Sequence, residues 1–189
     1  MATARRLHYD YKEYLRALEA SALKLEYCDG VIYAMAGGTL AHAQLAAAMI
    51  VALRIALPRP CLISTSELKI RIEETDLSAF PDVSVVCGEA KESPLDPNAL
   101  VNPTLLVEVT SKSTEDYDRG DKLSHYKQIP SLCAVIFVSH RTKRITVVSR
   151  SDAGWSERDF RGGETVTLPV HDASFAVDGV YDGITLDVA

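Results

Sequence analysis

Apolar and polar residues along this chain follow two periods, one typical of helices and one typical of strands. Helical spacing appears in three stretches, at residues 9–20, between Thr39 and Pro58, and at residues 113–128. Short apolar or alternating runs bounded by turn residues predict strands. These runs lie at residues 24–28, 31–36, 61–64, 68–72, 82–86, 104–109, 133–139, 144–149, 155–160 and 164–168. The chain is therefore predicted to be mixed α/β, and no linker divides residues 1–189 into two domains.

The connections between these elements carry their own predictions. Asp29-Gly30 between two strand-like runs predicts a β-hairpin. Residues 73–79 are predicted as a polar turn, and residues 88–103, with three prolines and several acids, as a surface loop. Thr39 and Ser113 are placed to cap the second and third helices. The last three strands are predicted to form an antiparallel meander at the edge of the sheet.

The strand at residues 104–109 is the most informative element. It has apolar residues on both faces, so it is predicted to be a central strand covered on both sides. Residues 133–139 follow the third helix, and they would pair in parallel with the strand at residues 104–109 to form a βαβ unit. Within this strand stands Glu108, a carboxylate whose burial costs free energy unless it is paired, hydrogen-bonded or bound to a cation.

Asp82, at the start of a neighbouring strand, could bring a second carboxylate to the same end of the sheet as Glu108. Two such carboxylates, with water and the backbone carbonyl of Val109, suit Mg²⁺ or Mn²⁺. In the alternative interpretation, Asp82 caps its strand and Glu108 pairs with a buried Lys or Arg. The spacing alone leaves both interpretations open.

Isolated polar residues elsewhere allow a structural and a functional interpretation. His42 lies in the first turn of the second helix, where it could pack or cap as well as serve a site. Arg54, Lys69 and Arg71 could contact phosphate, but a solvated face is the favoured interpretation for each of them.

Composition narrows the class of protein. The net charge of −6 argues against a broadly basic nucleic-acid-binding surface, although a bound metal ion can supply local positive charge. The four cysteines are scattered without zinc-site spacing, and they are predicted to be free buried thiols in a reducing cytoplasm. No apolar run is long enough to span a bilayer, so no membrane association is expected and a cytoplasmic location is predicted.

A set of motifs in a fixed order extends over nearly the whole chain. It comprises Glu26, Asp29-Gly30, Ala36-Gly37-Gly38, His42, Pro81-Asp82, Leu106-Val107-Glu108-Val109, Ser111, Ser113-Thr114, Asp118-Arg119-Gly120-Asp121-Lys122, Tyr126, Ile129-Pro130-Ser131-Leu132 and Tyr181-Asp182-Gly183. This set resembles the Uma2 family, which has a PD-(D/E)XK nuclease-like fold. The resemblance implies a restriction endonuclease-like mixed β-sheet core flanked by helices, with additional antiparallel strands.

The resemblance also implies roles for individual residues. Asp82 and Glu108 would be the metal-binding carboxylates. The nuclease pattern places a lysine two residues after the acid, where this chain has Thr110. Lys122 on the following helix matches the family motif and is the favoured substitute, ahead of Lys112 in the turn. The alternative for Lys122 is a solvent-exposed pair with the residue four positions earlier.

Two further family positions have less defined roles. His42 could orient a water or a phosphate. Glu26 could be a further metal ligand, or it could accept a hydrogen bond from a metal ligand. Tyr126 and His125 are expected to pack the helix or line a groove rather than act in catalysis.

The predicted function is a Mg²⁺- or Mn²⁺-dependent endonuclease that hydrolyses DNA phosphodiester bonds as a homodimer, without a small-molecule cofactor. In the alternative, the chain is a non-catalytic module that keeps the nuclease fold for nucleic-acid binding or self-association.

Overall fold

The computed structural model describes residues 8–35, 37–112 and 114–187. The helices are α1 (Tyr11–Ala20), α2 (Leu40–Ala56), α3 (Glu115–Tyr117), α4 (Leu123–Tyr126) and α5 (Val177–Tyr181). The strands are β1 (Leu25–Cys28), β2 (Val31–Ala34), β3 (Cys61–Thr65), β4 (Lys69–Ile72), β5 (Leu77–Ala79), β6 (Val83–Cys87), β7 (Glu92–Ser93), β8 (Asp96–Leu100), β9 (Leu105–Val109), β10 (Ala134–Val138), β11 (Arg144–Ser151), β12 (Gly154–Arg161), β13 (Thr165–Thr167) and β14 (Ser174–Ala176). The mixed α/β prediction is confirmed.

One six-stranded sheet has the order β12-β11-β10-β9-β6-β3. Strand β9 lies between β10, which runs parallel to it, and β6, which runs antiparallel. All residues of β9 and β10 are buried, so the predicted central strand and its βαβ partner are both confirmed. Leu105 and Val107 face the core that contains α2, whereas Leu106 faces the core that contains α4 and the second sheet. Glu108 is expected to point to the same side as Leu106, because alternate residues of a strand share a face.

The second six-stranded sheet has the order β2-β1-β5-β4-β8-β7. The predicted hairpin of β1 and β2 is confirmed, and its turn residues Asp29 and Gly30 have positive φ angles of 43° and 80°. This conformation suits the twist of paired strands and is easiest for glycine. Residues 73–79 and 88–103 were predicted as a turn and a loop, but they contain β5, β7 and β8, so these predictions are wrong.

A buried ion pair accounts for the missing apolar pattern at the start of β8. Lys69 of β4 pairs with Asp96 of β8 at 2.5 Å between Nζ and Oδ2, and both side chains are buried. Arg71 pairs with Asp76, and its guanidinium lies 4.0 Å from the ring centroid of Tyr11. The solvated face predicted for Lys69 and Arg71 is therefore wrong. Polar residues that satisfy one another give a strand no apolar signature.

The helix predicted at residues 113–128 is interrupted. Helices α3 and α4 are separated by a π-helical segment, Asp118–Lys122, and the predicted cap Ser113 lies outside the described residues. Thr39 does cap α2, because its side chain accepts a hydrogen bond from the backbone N–H of His42.

The predicted C-terminal meander is confirmed for two of its three strands. Strands β11 and β12 pair antiparallel at the edge of the first sheet. The third strand, β13, instead pairs with β14 in a separate two-stranded sheet. No helix in the described ranges is long and apolar enough to cross a bilayer.

The cysteine prediction is wrong for two of the four residues. Cys61 and Cys87 form a disulfide between β3 and β6, where they are direct register partners with Cα atoms 4.1 Å apart. Cys28 and Cys133 are free. The sequence could not indicate this pairing, because it depends on how β3 and β6 align across an intervening segment.

Candidate active site

The site lies at the end of β9, where Asp82 meets the strand. Asp82 immediately precedes β6, and the β6–β9 register, continued by one residue, places it opposite Glu108. The backbone N–H of Val109 donates a hydrogen bond to Oδ2 of Asp82 at 2.7 Å. This bond holds the carboxylate of Asp82 at the end of β9, the strand to which Glu108 belongs.

His42 approaches the same carboxylate from α2. Its Nε2 lies 3.4 Å from Oδ2 of Asp82. The side-chain hydrogen bond with Asp82 is the main cause of a raised pKa for His42, and a hydrogen bond with the Val109 backbone acts in the same direction, whereas burial opposes both. His42 therefore has its backbone in the helix cap and its side chain directed at Asp82. The cap of α2 is Thr39, and the role of His42 in a site stays a prediction that this contact with Asp82 supports.

Glu108 is buried and closely partnered. Its Oε1 accepts a hydrogen bond from the hydroxyl of Tyr126 at 2.6 Å and lies 3.0 Å from Nζ of Lys122. Burial raises the pKa of Glu108 to about 8, although the Lys122 ammonium and the Tyr126 hydrogen bond oppose that shift. The nearby carboxylates of Asp118 and Asp82 contribute to this upward shift.

Lys122 lies at the centre of a group of carboxylates. Its Nζ is 3.0 Å from Glu108, 3.2 Å from Glu26 and 3.7 Å from Asp118. Burial by itself would lower the pKa of the ammonium, but these three carboxylates outweigh burial and the net shift is upward. The exposed i,i+4 pair considered for Lys122 is therefore wrong, because Lys122 and Asp118 are both buried.

Glu26 belongs to the same group. Its Oε1 accepts a hydrogen bond from the backbone N–H of Phe80 at 3.0 Å, which ties β1 to the segment that leads into Asp82. The structure thus brings Glu26, Glu108 and Lys122 together through direct contacts. Asp82 and His42 form a second contact group, joined to the first through the backbone of β9.

Thr110 stands where the nuclease pattern has a lysine, and its side chain is committed elsewhere. It is fully buried, its N–H continues the sheet by bonding Val138, and its Oγ1 lies 3.1 Å from Nδ1 of His140. Lys112 is exposed in the turn. Of the two candidate substitutes, Lys122 is the one that contacts Glu108.

Asp118 and Tyr126 were not predicted as site residues. Asp118, Lys122 and Tyr126 are spaced by four residues, and this spacing places side chains on one face of a helix. That regularity was the signal that could have identified them. His140, the partner of Thr110, had no comparable signal, because it follows the separate strand β10.

Asp82 and Glu108 offer carboxylate oxygens at the end of β9. Within the described residues, the group of three His, Cys, Asp or Glu side chains with ligand atoms within 4.8 Å of one another is Cys61, Cys87 and His171. A cation at Asp82 and Glu108 would therefore have few protein ligands. Mg²⁺ is commonly held by one or two carboxylates while it keeps several waters.

Comparison with known proteins places this chain in a family. The family model named Uma2, described as "Putative restriction endonuclease", matches residues 11–178. One uncharacterised protein of Synechocystis is 36% identical over 175 residues, which cover 92% of this chain and 91% of that protein. A second from the same organism is 30% identical over 135 residues, covering 70% of this chain and 76% of its own.

A solved structure shares the fold. The crystal structure of a protein from Anabaena variabilis, described as a putative nuclease belonging to DUF820, aligns with a TM-score of 0.73 at 16% identity. The alignment covers 90% of this chain and 96% of that one. The fold prediction is thereby confirmed. Because its family model extends over most of the chain and a relative matches nearly end to end, this chain belongs to the Uma2 family.

Proposed function

We propose that this chain is a divalent-metal-dependent endonuclease that hydrolyses DNA. The observation that carries the proposal is the pair of carboxylates at the end of β9, where Asp82 lies opposite Glu108 and accepts a hydrogen bond from the N–H of Val109. Nζ of Lys122 lies beside this pair, 3.0 Å from Oε1 of Glu108. The Lys122–Glu108 contact by itself also fits the structural alternative, in which Glu108 pairs with a buried lysine. A lysine from the helix thus accompanies the strand carboxylate, although Thr110 occupies the usual lysine position. The family description and the nuclease-like fold agree with this function.

Asp82 and Glu108 are the proposed ligands of Mg²⁺ or Mn²⁺, with the backbone carbonyl of Val109 beside them. Their oxygen donors fit such a hard cation, and the register that sets Asp82 opposite Glu108 supports a shared site. The cation, when bound, would polarise the phosphodiester and lower the pKa of an attacking water.

The remaining residues prepare the site for an anionic substrate. Lys122 supplies a fixed positive charge next to Glu108, where it can stabilise negative charge that develops on phosphate oxygens. Glu26 and Asp118 hold the Lys122 ammonium in place. His42, whose pKa is raised by Asp82, can hold a proton close to that carboxylate and orient a water or a phosphate. Tyr126 fixes the orientation of Glu108 through its hydroxyl.

We propose that the chain acts as a homodimer, as the family resemblance implies. One site cuts one strand, so cleavage of both strands at the same place needs two sites. The net charge of −6 makes the proposed contact with DNA a local one, centred on the metal and Lys122.

Nicking of supercoiled plasmid tests the proposal. The parent chain should convert the plasmid to open-circular or linear DNA only with Mg²⁺ or Mn²⁺. Asp82→Asn, Glu108→Gln and Lys122→Ala should each lower the rate by at least about 100-fold, the scale of losing one group that stabilises a transition state. Lys112→Ala is the matched control, because it removes an exposed lysine from the turn that follows β9.

Folding must be checked separately, since Lys122 is buried among carboxylates. Circular dichroism of every variant should match that of the parent, and Asp82→Asn decides the matter if Lys122→Ala does not fold. Mg²⁺ or Mn²⁺ should also raise the melting temperature of the parent, because a ligand that binds only the native state stabilises it. Glu108→Gln should abolish that rise. Metal-independent nicking, or nicking that survives in Asp82→Asn, would contradict the proposal.

A second candidate is a non-catalytic module that uses the same fold for nucleic-acid binding or self-association. The observation that favours it is the closed set of contacts around Thr110, which leaves the strand without its usual lysine. This function predicts DNA binding or self-association without cleavage. It also predicts that neither Mg²⁺ nor Mn²⁺ changes the melting temperature.

A further inference from the structure

A second group of potential metal ligands lies at the opposite end of β6 from Asp82. Cys61 begins β3, Cys87 ends β6, and His171 lies in the turn between β13 and β14. One ligand atom from each of these side chains falls within 4.8 Å of the other two. Two sulfurs and an imidazole are a soft donor set, unlike the carboxylates of the candidate active site.

The backbone holds the two cysteines close together whether or not they are bonded. Each residue directs its N–H away from the other, Cys61 to the carbonyl of Pro58 at 3.0 Å and Cys87 to Oγ1 of Thr104 at 2.9 Å. They therefore oppose each other without a mutual N–H bond, and such pairs bring side chains nearest. Reduction of the disulfide would leave two thiols side by side on an intact sheet.

His171 is held near the cysteines by a packed turn. The N–H of Leu168 bonds the carbonyl of Ala173, and the N–H of Ala173 bonds that of Val170. Leu168 and Ala173 are buried in the same core cluster as Cys61, so the turn is anchored to the sheet. His171 itself is exposed, which gives a metal ion a route from solvent.

We propose that Cys61, Cys87 and His171 form a zinc site that exists only when the disulfide is reduced. A dithiol reductant gives two electrons and two protons to the Cys61–Cys87 bond, which breaks to two thiols while the reductant becomes a disulfide. Zn²⁺ then displaces the two thiol protons and binds both thiolates and one nitrogen of His171. Water takes the fourth position of the tetrahedral ion. In the oxidised chain the sulfurs are bonded to each other and do not bind the ion.

This site is independent of the proposed nuclease site. Strand β6 separates Asp82 from Cys87, and five strand residues span about 17 Å. The ligand types also separate the two sites, since thiolates favour Zn²⁺ and carboxylates favour Mg²⁺. The state of Cys61 and Cys87 can therefore be tested without reference to nuclease activity.

The test measures metal binding by the full chain in both redox states. The chain is reduced with a phosphine, desalted, and titrated with Zn²⁺ against a chromophoric chelator. The reduced parent should bind one Zn²⁺ more per chain than the oxidised parent. Titration with Co²⁺ should produce a thiolate-to-cobalt charge-transfer band in the reduced chain alone, which metal at Asp82 and Glu108 cannot produce.

Variants identify the ligands. Cys61→Ser and Cys87→Ser should each remove the charge-transfer band or reduce it to that of one thiolate, and neither should bind the extra Zn²⁺ as tightly as the parent. His171→Ala lies on an exposed turn and should keep the fold while weakening Zn²⁺ binding by at least about tenfold, the lower end of what losing a supporting partner costs. Cys28→Ser and Cys133→Ser are matched controls and should bind as the parent does.

Three results would overturn the proposal. They are equal Zn²⁺ binding by the oxidised and reduced parent, no charge-transfer band in the reduced chain, and unchanged affinity in His171→Ala. If Cys61→Ser fails to fold by circular dichroism, Cys87→Ser and His171→Ala still decide the outcome.

Discussion

Lys122 connects three carboxylates that come from three different parts of the chain. Glu26 lies on β1, Glu108 on β9 and Asp118 on the π-helical segment, and each is within 3.7 Å of the ammonium. Buried carboxylates repel one another unless a cation lies between them. The cluster therefore depends on a single positive charge in the described structure, whatever chemistry the site performs.

Lys122→Met tests this dependence. The substitution keeps an unbranched side chain, one atom shorter, and leaves the buried carboxylates without their cation, so the free energy of unfolding should fall by about 3–5 kcal/mol. Urea unfolding followed by circular dichroism measures the loss. Lys143→Met is the matched control, because Lys143 is exposed and its partner Asp178 is exposed too. Its unfolding midpoint should barely move. Equal midpoints for the two variants would contradict a cluster held by Lys122.

For single residues, the sequence was informative where a charged side chain in an apolar segment required a partner. Glu108 in an apolar strand required a partner, and the family motif pointed to Lys122. The sequence did not show that Asp96 requires a charged partner, because Asp96 lies in a proline-containing segment with no apolar run around it. Its partner Lys69 looked like an ordinary solvent-facing residue of an alternating strand. A buried ion pair hides both of its members from hydrophobic patterning.

Elements set by local signals were predicted well, and elements set by distant pairing were not. The β1–β2 hairpin has its turn residues, and α2 has its cap and its prolines. By contrast, β5 exists because it pairs with β1 and β4, and β8 because it lies parallel to β4. No local feature of either segment carries that information. The π-helical segment likewise breaks a helix that has no proline within it.

Two glycines on different elements provide a matched comparison. Gly30 has a φ angle of 80°, and a Cβ there would come within 2.3 Å of the ring of His8. Gly30→Ala should therefore destabilise the chain by about 1–3 kcal/mol, from the left-handed conformation and the close approach. Gly120 is exposed in the π-helical segment, and a Cβ there would meet no described atom within 4 Å. Gly120→Ala should be neutral or stabilise by up to about 1 kcal/mol.

Urea unfolding midpoints of the two glycine variants measure this difference. If Gly120→Ala lost as much stability as Gly30→Ala, the π-helical segment would need a conformation that alanine resists. Unchanged plasmid nicking in Gly120→Ala would further indicate that Lys122 keeps its position when the segment becomes stiffer.

Across the whole molecule, the disulfide joins the edge strand β3 to the sheet that carries Asp82 and Glu108. It links residues 26 apart in sequence. Closing a loop of that length restricts the unfolded chain, so reduction should lower the free energy of unfolding by about 2–4 kcal/mol. Denaturant unfolding of the oxidised and reduced chains, both with a chelator present, measures the difference. Cys61→Ser should unfold at the same midpoint with and without reductant, whereas Cys28→Ser should respond as the parent does.

Zinc should recover part of that loss if the reduced cysteines bind it. A ligand at 100 times its dissociation constant stabilises the native state by about 2.7 kcal/mol, which is close to the loss expected on reduction. The reduced parent should therefore unfold at a higher denaturant concentration when Zn²⁺ replaces the chelator, and reduced His171→Ala should gain less at the same Zn²⁺ concentration. An equal gain in reduced Cys61→Ser would assign the stabilisation to another site, with Asp82 and Glu108 the first to examine. Because either the disulfide or the bound Zn²⁺ would join Cys61 to Cys87, the strand that leads from Asp82 would stay anchored to β3 in the oxidised form and in the zinc-bound form.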